Sequence, residues 1–147
     1  MISYKTKIKD IPFNSTPPGY TVLKYTKHNI HKWPGLFTLC IELFNSEKHW
    51  NEMWTEEEAQ ERLNQKANFF VMFNINDLKS PIAYLWIKDD WVYNMFVHSS
   101  KPKGSSVTFM QECIHMQDTD KEYIRWETDD WNIAGIKCWV KVGANRV

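Results

Sequence analysis

The 147-residue chain has no CxxC pair, and its three cysteines, Cys40, Cys113 and Cys138, are widely spaced. An odd, scattered set argues against a zinc knuckle or a disulfide framework. All three fall in apolar surroundings within candidate helices, so they read as reduced packing residues. Charge of one sign is also missing. Lys plus Arg equals Asp plus Glu at 18 each, for a formal net charge of zero. No overall field draws nucleic acid or an anionic membrane, and neither partner is expected. No charged-then-apolar leader follows Met1, and no apolar run approaches about 18 residues, so the expected location is cytoplasmic. Neither GxxxxGK[ST] nor GxGxxG occurs, and no serine sits in a nucleophile elbow. His28 and His31 lie three apart with no third ligand nearby, which does not suggest a metal site.

Aromatics are plentiful instead, at 15% with eight Trp. Such a chain fills a core and has aromatic surface to spare for a partner. The length suits one domain with a real core. Residues 1–19 mix alternation with turn chemistry and break at "NSTPPG", so they read as an arm or an extra edge strand ahead of a domain spanning 20–147. "YTVLKYT" (20–26) predicts a strand. "WPGLFTLCIELFN" (33–45) predicts a helix with Pro34 in its first turn. The aromatic linker 46–54 follows. Thr55 and Glu58 form a capping box that starts a surface helix over 56–68.

"FFVMFNI" (69–75) is an almost continuous apolar run and predicts a strand buried on both faces. "PIAYLWIK" (81–88) and "WVYNMFVHS" (91–99) follow after short turns, giving an antiparallel meander. The loop "SKPKGSS" (100–106) leads into a helix over 106–117. A strand over 122–128 and a helix over 132–142 complete the order β-α-α-β-β-β-α-β-α. Strand 91–99, the crossover helix and strand 122–128 form a βαβ unit, expected to be parallel and right-handed.

The strand-to-helix loop is chemically suggestive. A helix N-terminus carries unpaired N–H groups and partial positive charge, which suits phosphate. Gly104 lets a ligand approach the backbone closely, Lys101 and Lys103 add charge, and Ser105 and Ser106 add hydroxyls. An exposed Lys/Ser/Gly connection with no ligand has the same composition.

This loop and the last helix together resemble the GNAT N-acetyltransferase superfamily. That family has a strand ending in valine, then an Arg/Gln-x-x-Gly-x-Gly/Ala loop opening a helix. Here Val97 precedes "KPKGSS", with Lys101, Gly104 and Ser106 at those positions. The family's final helix reads Asn-x-x-Ala-x-x-x-Tyr-x-Lys-x-Gly-Phe. Asn132, Gly135, Trp139, Lys141, Gly143 and Ala144 stand at those spacings. The element order matches from about residue 20 to 144, and the specific motifs cover about 92–144.

The resemblance implies an α/β (α+β) fold: a mixed central sheet with helices on both faces. It implies acetyl-coenzyme A as cofactor. Its pyrophosphate would lie on the amides of Lys103, Gly104, Ser105, Ser106 and Val107. Its pantetheine arm would run along strand 91–99 at Phe96 and Val97, and its thioester would lie near Asn132. The chain departs from the family in three places. Trp139 replaces the tyrosine that protonates the leaving thiolate; an indole N–H donates a hydrogen bond but does not release its proton near neutral pH. "WVYNMFV" holds no carboxylate, so Tyr93 and Asn94 stand where many relatives carry a glutamate. Glu127, Asp129, Asp130 and His98 are the substitutes, and all four also suit caps and turns. The usual C-terminal hairpin is lacking, which leaves strand 122–128 an open edge. A second copy in a homo-oligomer, a protein partner, or residues 1–19 would cover it.

Two functions follow: an acyl-coenzyme A-dependent N-acyltransferase acting on an amine, or a non-catalytic GNAT-fold binding or structural subunit. GNAT-like components occur among the virion proteins of tailed phages, and by that analogy host cytoplasm or virion is the expected location.

Overall fold

In the computed structural model, residues 1–46, 55–117 and 120–147 are described. Most of the expected linker 46–54, with Trp50 and Trp54, lies outside them. The strands are β1 (Ile2–Lys7), β2 (Tyr20–Tyr25), β3 (Asn68–Asn74), β4 (Asp77–Lys88), β5 (Trp91–Val97) and β6 (Tyr123–Thr128). The helices are α1 (Leu36–Asn45), α2 (Glu56–Asn64), α3 (Ser105–Met116) and α4 (Ile133–Val142). They form one six-stranded sheet in the order β1-β6-β5-β4-β3-β2. All neighbours are antiparallel except β5 and β6, which run parallel across the α3 connection.

Period-two alternation divides the core into two layers. Phe69, Val71, Phe73, Tyr84 and Trp86 point to one face and pack with Leu36 and Cys40 of α1 and Ala59 and Leu63 of α2. Phe70, Met72, Ala83, Leu85 and Ile87 point to the other and pack with Phe109, Met110 and Cys113 of α3 and Trp139 and Val142 of α4. Both faces of β3 are therefore buried, which is why its sequence shows no polar alternation. The Phe69 and Trp86 rings approach to 4.2 Å between centroids, at the centre of the first layer.

Local signals set the helix ends. Thr55 accepts from the Glu58 N–H at 3.2 Å, as the capping box requires. Lys66 takes a left-handed φ of 66° just past α2, so the helix stops short of the predicted 68. Gly35 at φ 83° caps α1, and a 3-10 turn at Ile30–Lys32 precedes it, so the predicted helix start at 33 moves to 36.

The open edge of β6 is filled from within the chain. Six residue pairs join β1 to β6, from Ile2 opposite Thr128 to Lys7 opposite Tyr123. The chain end then pairs with the outer side of β1. Lys5 N–H donates to Asn145 C=O at 3.1 Å, and Val147 N–H to Ser3 C=O at 2.9 Å. The buried Thr6 Oγ1 accepts from Asn145 N–H at 2.8 Å. Residues 11–16 form a strap over α3 on this face. Thr16 N–H reaches the Glu112 carboxylate, and His115 Nε2 donates to Ile11 C=O at 2.7 Å.

β5 and β6 are joined as paired strands at a single position, Trp91 with Arg125. At that point Arg125 N–H donates to Asp90 C=O at 2.7 Å. Its guanidinium grips the Asp90 carboxylate through two bonds of 2.9 and 3.0 Å, and lies 5.4 Å from the Trp91 ring centroid. The arginine holds the Asp90 carboxyl below the ordinary carboxylate range. The unfolded chain therefore takes up this proton first as pH falls. The contribution is full above the ordinary value near 4 and fades as pH drops through the lower folded value. Asp90→Asn should flatten the acid limb of the stability curve below about pH 4, leaving stability at pH 7 only slightly lower. Urea titrations at stepped pH measure this, and an unchanged limb would show that the pair is uncoupled from folding.

Candidate functional site

Beyond the Trp91–Arg125 contact the two parallel strands separate, and a cleft of about 410 Å³ opens between them. β5 contributes Trp91 to Phe96 to its wall. Trp126, Glu127 and Thr128 enter from β6, Asp129 and Asn132 from the following turn, and Trp139 from α4. The α1/α2 face supplies Phe44, Glu58 and Arg62, and β4 supplies Tyr84. The cleft therefore reaches both faces of the sheet through the gap.

Asn94 owes its position to a β-bulge. Leu85 pairs with Met95 and Trp86 with Tyr93, which leaves Asn94 without a partner on β4. A bulge re-aims backbone groups and is common beside functional sites. Arg62 lies on the same wall, with its guanidinium 5.8 Å from the Tyr93 ring and 5.6 Å from that of Trp86.

Trp139 is tied into the wall of the cleft. It is buried, and its indole N–H donates to Thr128 Oγ1. The bond uses its one donor within the wall of the cleft. Its ring meets that of Trp126 edge-on at 6.0 Å. Trp126 in turn stacks on Tyr4 of β1 at 5.4 Å, so β1 supports this wall as well as covering the edge.

α3 begins where the sequence places it. Gly104 is its N-cap at φ 80°, and no atom lies within 4 Å of where a Cβ would stand. Ser105 is buried. Its N–H and hydroxyl both donate to Pro102 C=O, at 3.1 and 2.7 Å, so it shapes the loop. The N–H groups of Ser106 and Val107 precede the first helical bond, from Thr108 N–H to Gly104 C=O. Burial pushes the Cys138 thiol up to about 11, against the opposing charges of Lys101 and Lys141.

Of the residues singled out by sequence, Tyr93, Asn94, Phe96, Glu127, Asp129, Asn132 and Trp139 line the cleft together. Val97 continues β5 beyond it, and Lys101 to Val107 form the α3 entrance further along. His98 is elsewhere: its N–H donates to Ile82 C=O, and its Nδ1 meets Ser100 in the turn after β5. Asn132 caps α4 by accepting the Gly135 N–H at 3.0 Å. Sequence reasoning did not single out Thr128, Arg62, Glu58 or Trp126. No local motif marks them, because strands and helices distant in sequence bring them together.

The architecture matches a set of solved structures. A GCN5-related N-acetyltransferase from Kribbella flavida superposes with a TM-score of 0.56 at 10% identity, over 98% of this chain and 53% of its own. An aminoglycoside acetyltransferase from an uncultured soil metagenomic sample gives 0.52 at 13% identity, over 84% of this chain and 87% of its own. The chain has the GNAT fold. A Drosophila protein gives a TM-score of 0.67 at 10% identity, over 99% of this chain and 47% of its own. This GNAT-fold chain thus spans about half the length of the Drosophila and Kribbella proteins. No protein-family model and no curated protein matches the sequence. Among the described residues no helix is long and apolar enough to cross a membrane.

The Trp139–Thr128 bond gives a direct test. Thr128→Val keeps the shape but leaves a buried indole N–H without its acceptor, at a cost of about 1–3 kcal/mol. Trp139→Phe in that background should recover part of the loss, because the stranded donor goes with it. Urea unfolding of the two single variants and the double variant reads this coupling. Strict additivity would place the indole N–H on another acceptor.

Proposed function

We propose that this chain is an acyl-coenzyme A-dependent N-acyltransferase acting on a primary amine. The observation that carries the reading is the parting of β5 from β6 after one residue pair, beside a glycine-opened helix. The residues fit the cofactor. From Val92 to Val97 the β6-facing side of β5 has no strand partner among the described residues, so backbone groups near Phe96 and Val97 would hold an extended arm as an added strand does. Open space above Gly104, the N–H groups of Ser106 and Val107, and the charges of Lys101 and Lys103 would hold a pyrophosphate. The cofactor, when bound, supplies an activated acyl thioester.

The other wall supports an amine as acceptor. Among the described residues, three carboxylates, Glu58, Glu127 and Asp129, line the cleft against one cationic side chain, Arg62. That excess favours an ammonium group entering from the α1/α2 face. Glu127 is the base in this reading. It projects from β6 toward the cleft, and among the described residues no cation pairs with it. It takes a proton from the ammonium, freeing the lone pair that attacks. Tyr93 and Asn94 position the amine beside the bulge. His98, bonded into its turn, is left out of proton transfer. Trp139, with its N–H bound to Thr128, is left out too.

The non-catalytic alternative has less support. The open β6 edge that favoured a covering partner is occupied by β1.

Isothermal titration with acetyl-coenzyme A tests the cofactor site. Asn and Asp are isosteric, and both tolerate the left-handed conformation of Gly104 better than other side chains. Gly104→Asp should therefore weaken binding at least about tenfold beyond Gly104→Asn, through charge alone. Equal affinities would remove the pyrophosphate from this helix. In turnover on an amine panel, Glu127→Gln should lower kcat by about 10²-fold with unchanged acetyl-coenzyme A affinity. A wild-type rate in that variant would pass the proton to another group.

A further inference from the structure

Trp126 is 2% exposed and lines the cleft. Its Nε1 is buried and has no hydrogen-bond partner among the described residues. A buried donor left unmade costs free energy, so its retention calls for an explanation. Packing alone does not require the indole nitrogen. Stacking on Tyr4 and the edge-on contact with Trp139 engage the rings, and a phenyl group offers the same faces. Its neighbour across the wall gives the contrast. Trp139 has spent its N–H on Thr128, so of the two facing indoles only Trp126 retains a free donor.

We propose that the Trp126 indole N–H is a binding donor for the thioester end of the acyl-coenzyme A held in this cleft. This rests on the acyltransferase reading above. An indole carries a fixed, neutral donor that keeps its proton across the working pH range. It therefore suits an acceptor such as a thioester carbonyl oxygen, which gains electron density as an amine attacks. The Tyr4 stack and the edge-on contact with Trp139 fix the ring, so the donor is pre-oriented, and a ligand reaches its buried N–H by pressing into the wall of the cleft. It would also compensate for the spent donor of Trp139 on the same wall.

The test separates ligand-free stability from ligand response. Trp126→Phe removes the stranded donor and keeps a ring between Tyr4 and Trp139, at the cost of a cavity where the larger indole stood. Its ligand-free Tm should therefore fall modestly, and that value is the baseline for its response to ligand. With saturating acetyl-coenzyme A, the thermal shift of the variant should be smaller than that of the wild type. The Trp126 indole N–H resonance, assigned by its loss in the variant, should move on adding acetyl-coenzyme A. Coenzyme A lacking the acyl group should move it much less. In turnover, kcat should fall about tenfold with little change in KM for the amine. Wild-type binding of acetyl-coenzyme A with an unmoved resonance would overturn the donor role and leave the acyltransferase reading intact. Absence of any binding to the wild-type chain would overturn both.

Discussion

The Asp90–Arg125 clamp determines where the two parallel strands part. Three contacts converge there: a backbone bond, a bidentate ion pair and a cation over the Trp91 ring. A parallel pair normally continues its ladder along its length. Here the ladder stops after one residue pair, so the clamp must fix the spacing that further backbone bonds would otherwise set. The cleft, Trp126 and Trp139 in its wall and the run of free β5 backbone all lie beyond this pivot. A planar guanidinium suits the task, since its two parallel bonds fix direction as well as distance.

Local chemistry made the element order legible. The capping box at Thr55, the two-faced apolar run of β3, the short turns around β4 and the glycine before α3 each report on a few neighbouring residues. Boundaries shifted where a single backbone conformation intervened, at Gly35 before α1 and at Lys66 after α2. Half of the candidate site was legible in the same way. Tyr93, Asn94 and Phe96 lie on one strand, and Asn132 and Trp139 on one helix, so motif spacing alone groups them.

The remainder was not legible, because it depends on contacts distant in sequence. Nothing in "MISYKTK" names β6 as its partner; alternation says strand without saying which strand. The partner of Trp139 follows from the register of β6 against α4, which places Thr128 under the indole. The status of Trp126 is harder still, since an unmade bond leaves no mark in the sequence. The bulge at Asn94 requires the β4 register to be known before it can be counted. Sequence patterning therefore reads the scaffold well, whereas the polar details of the wall are set by tertiary packing.

The pairing of β1 with β6 joins Ile2 to Thr128, across almost the whole chain. Closing so long a loop is entropically costly, and non-local pairing of this kind comes late in folding. The meander β3-β4-β5 and its helices need no such closure and can consolidate first. Tyr4, which backs Trp126, arrives only with β1. On a ribosome β1 emerges before β6, so it must wait unpaired until β6 has been made. Until then the β6 wall of the cleft lacks its backing, so the site is completed only after β6 has been synthesised.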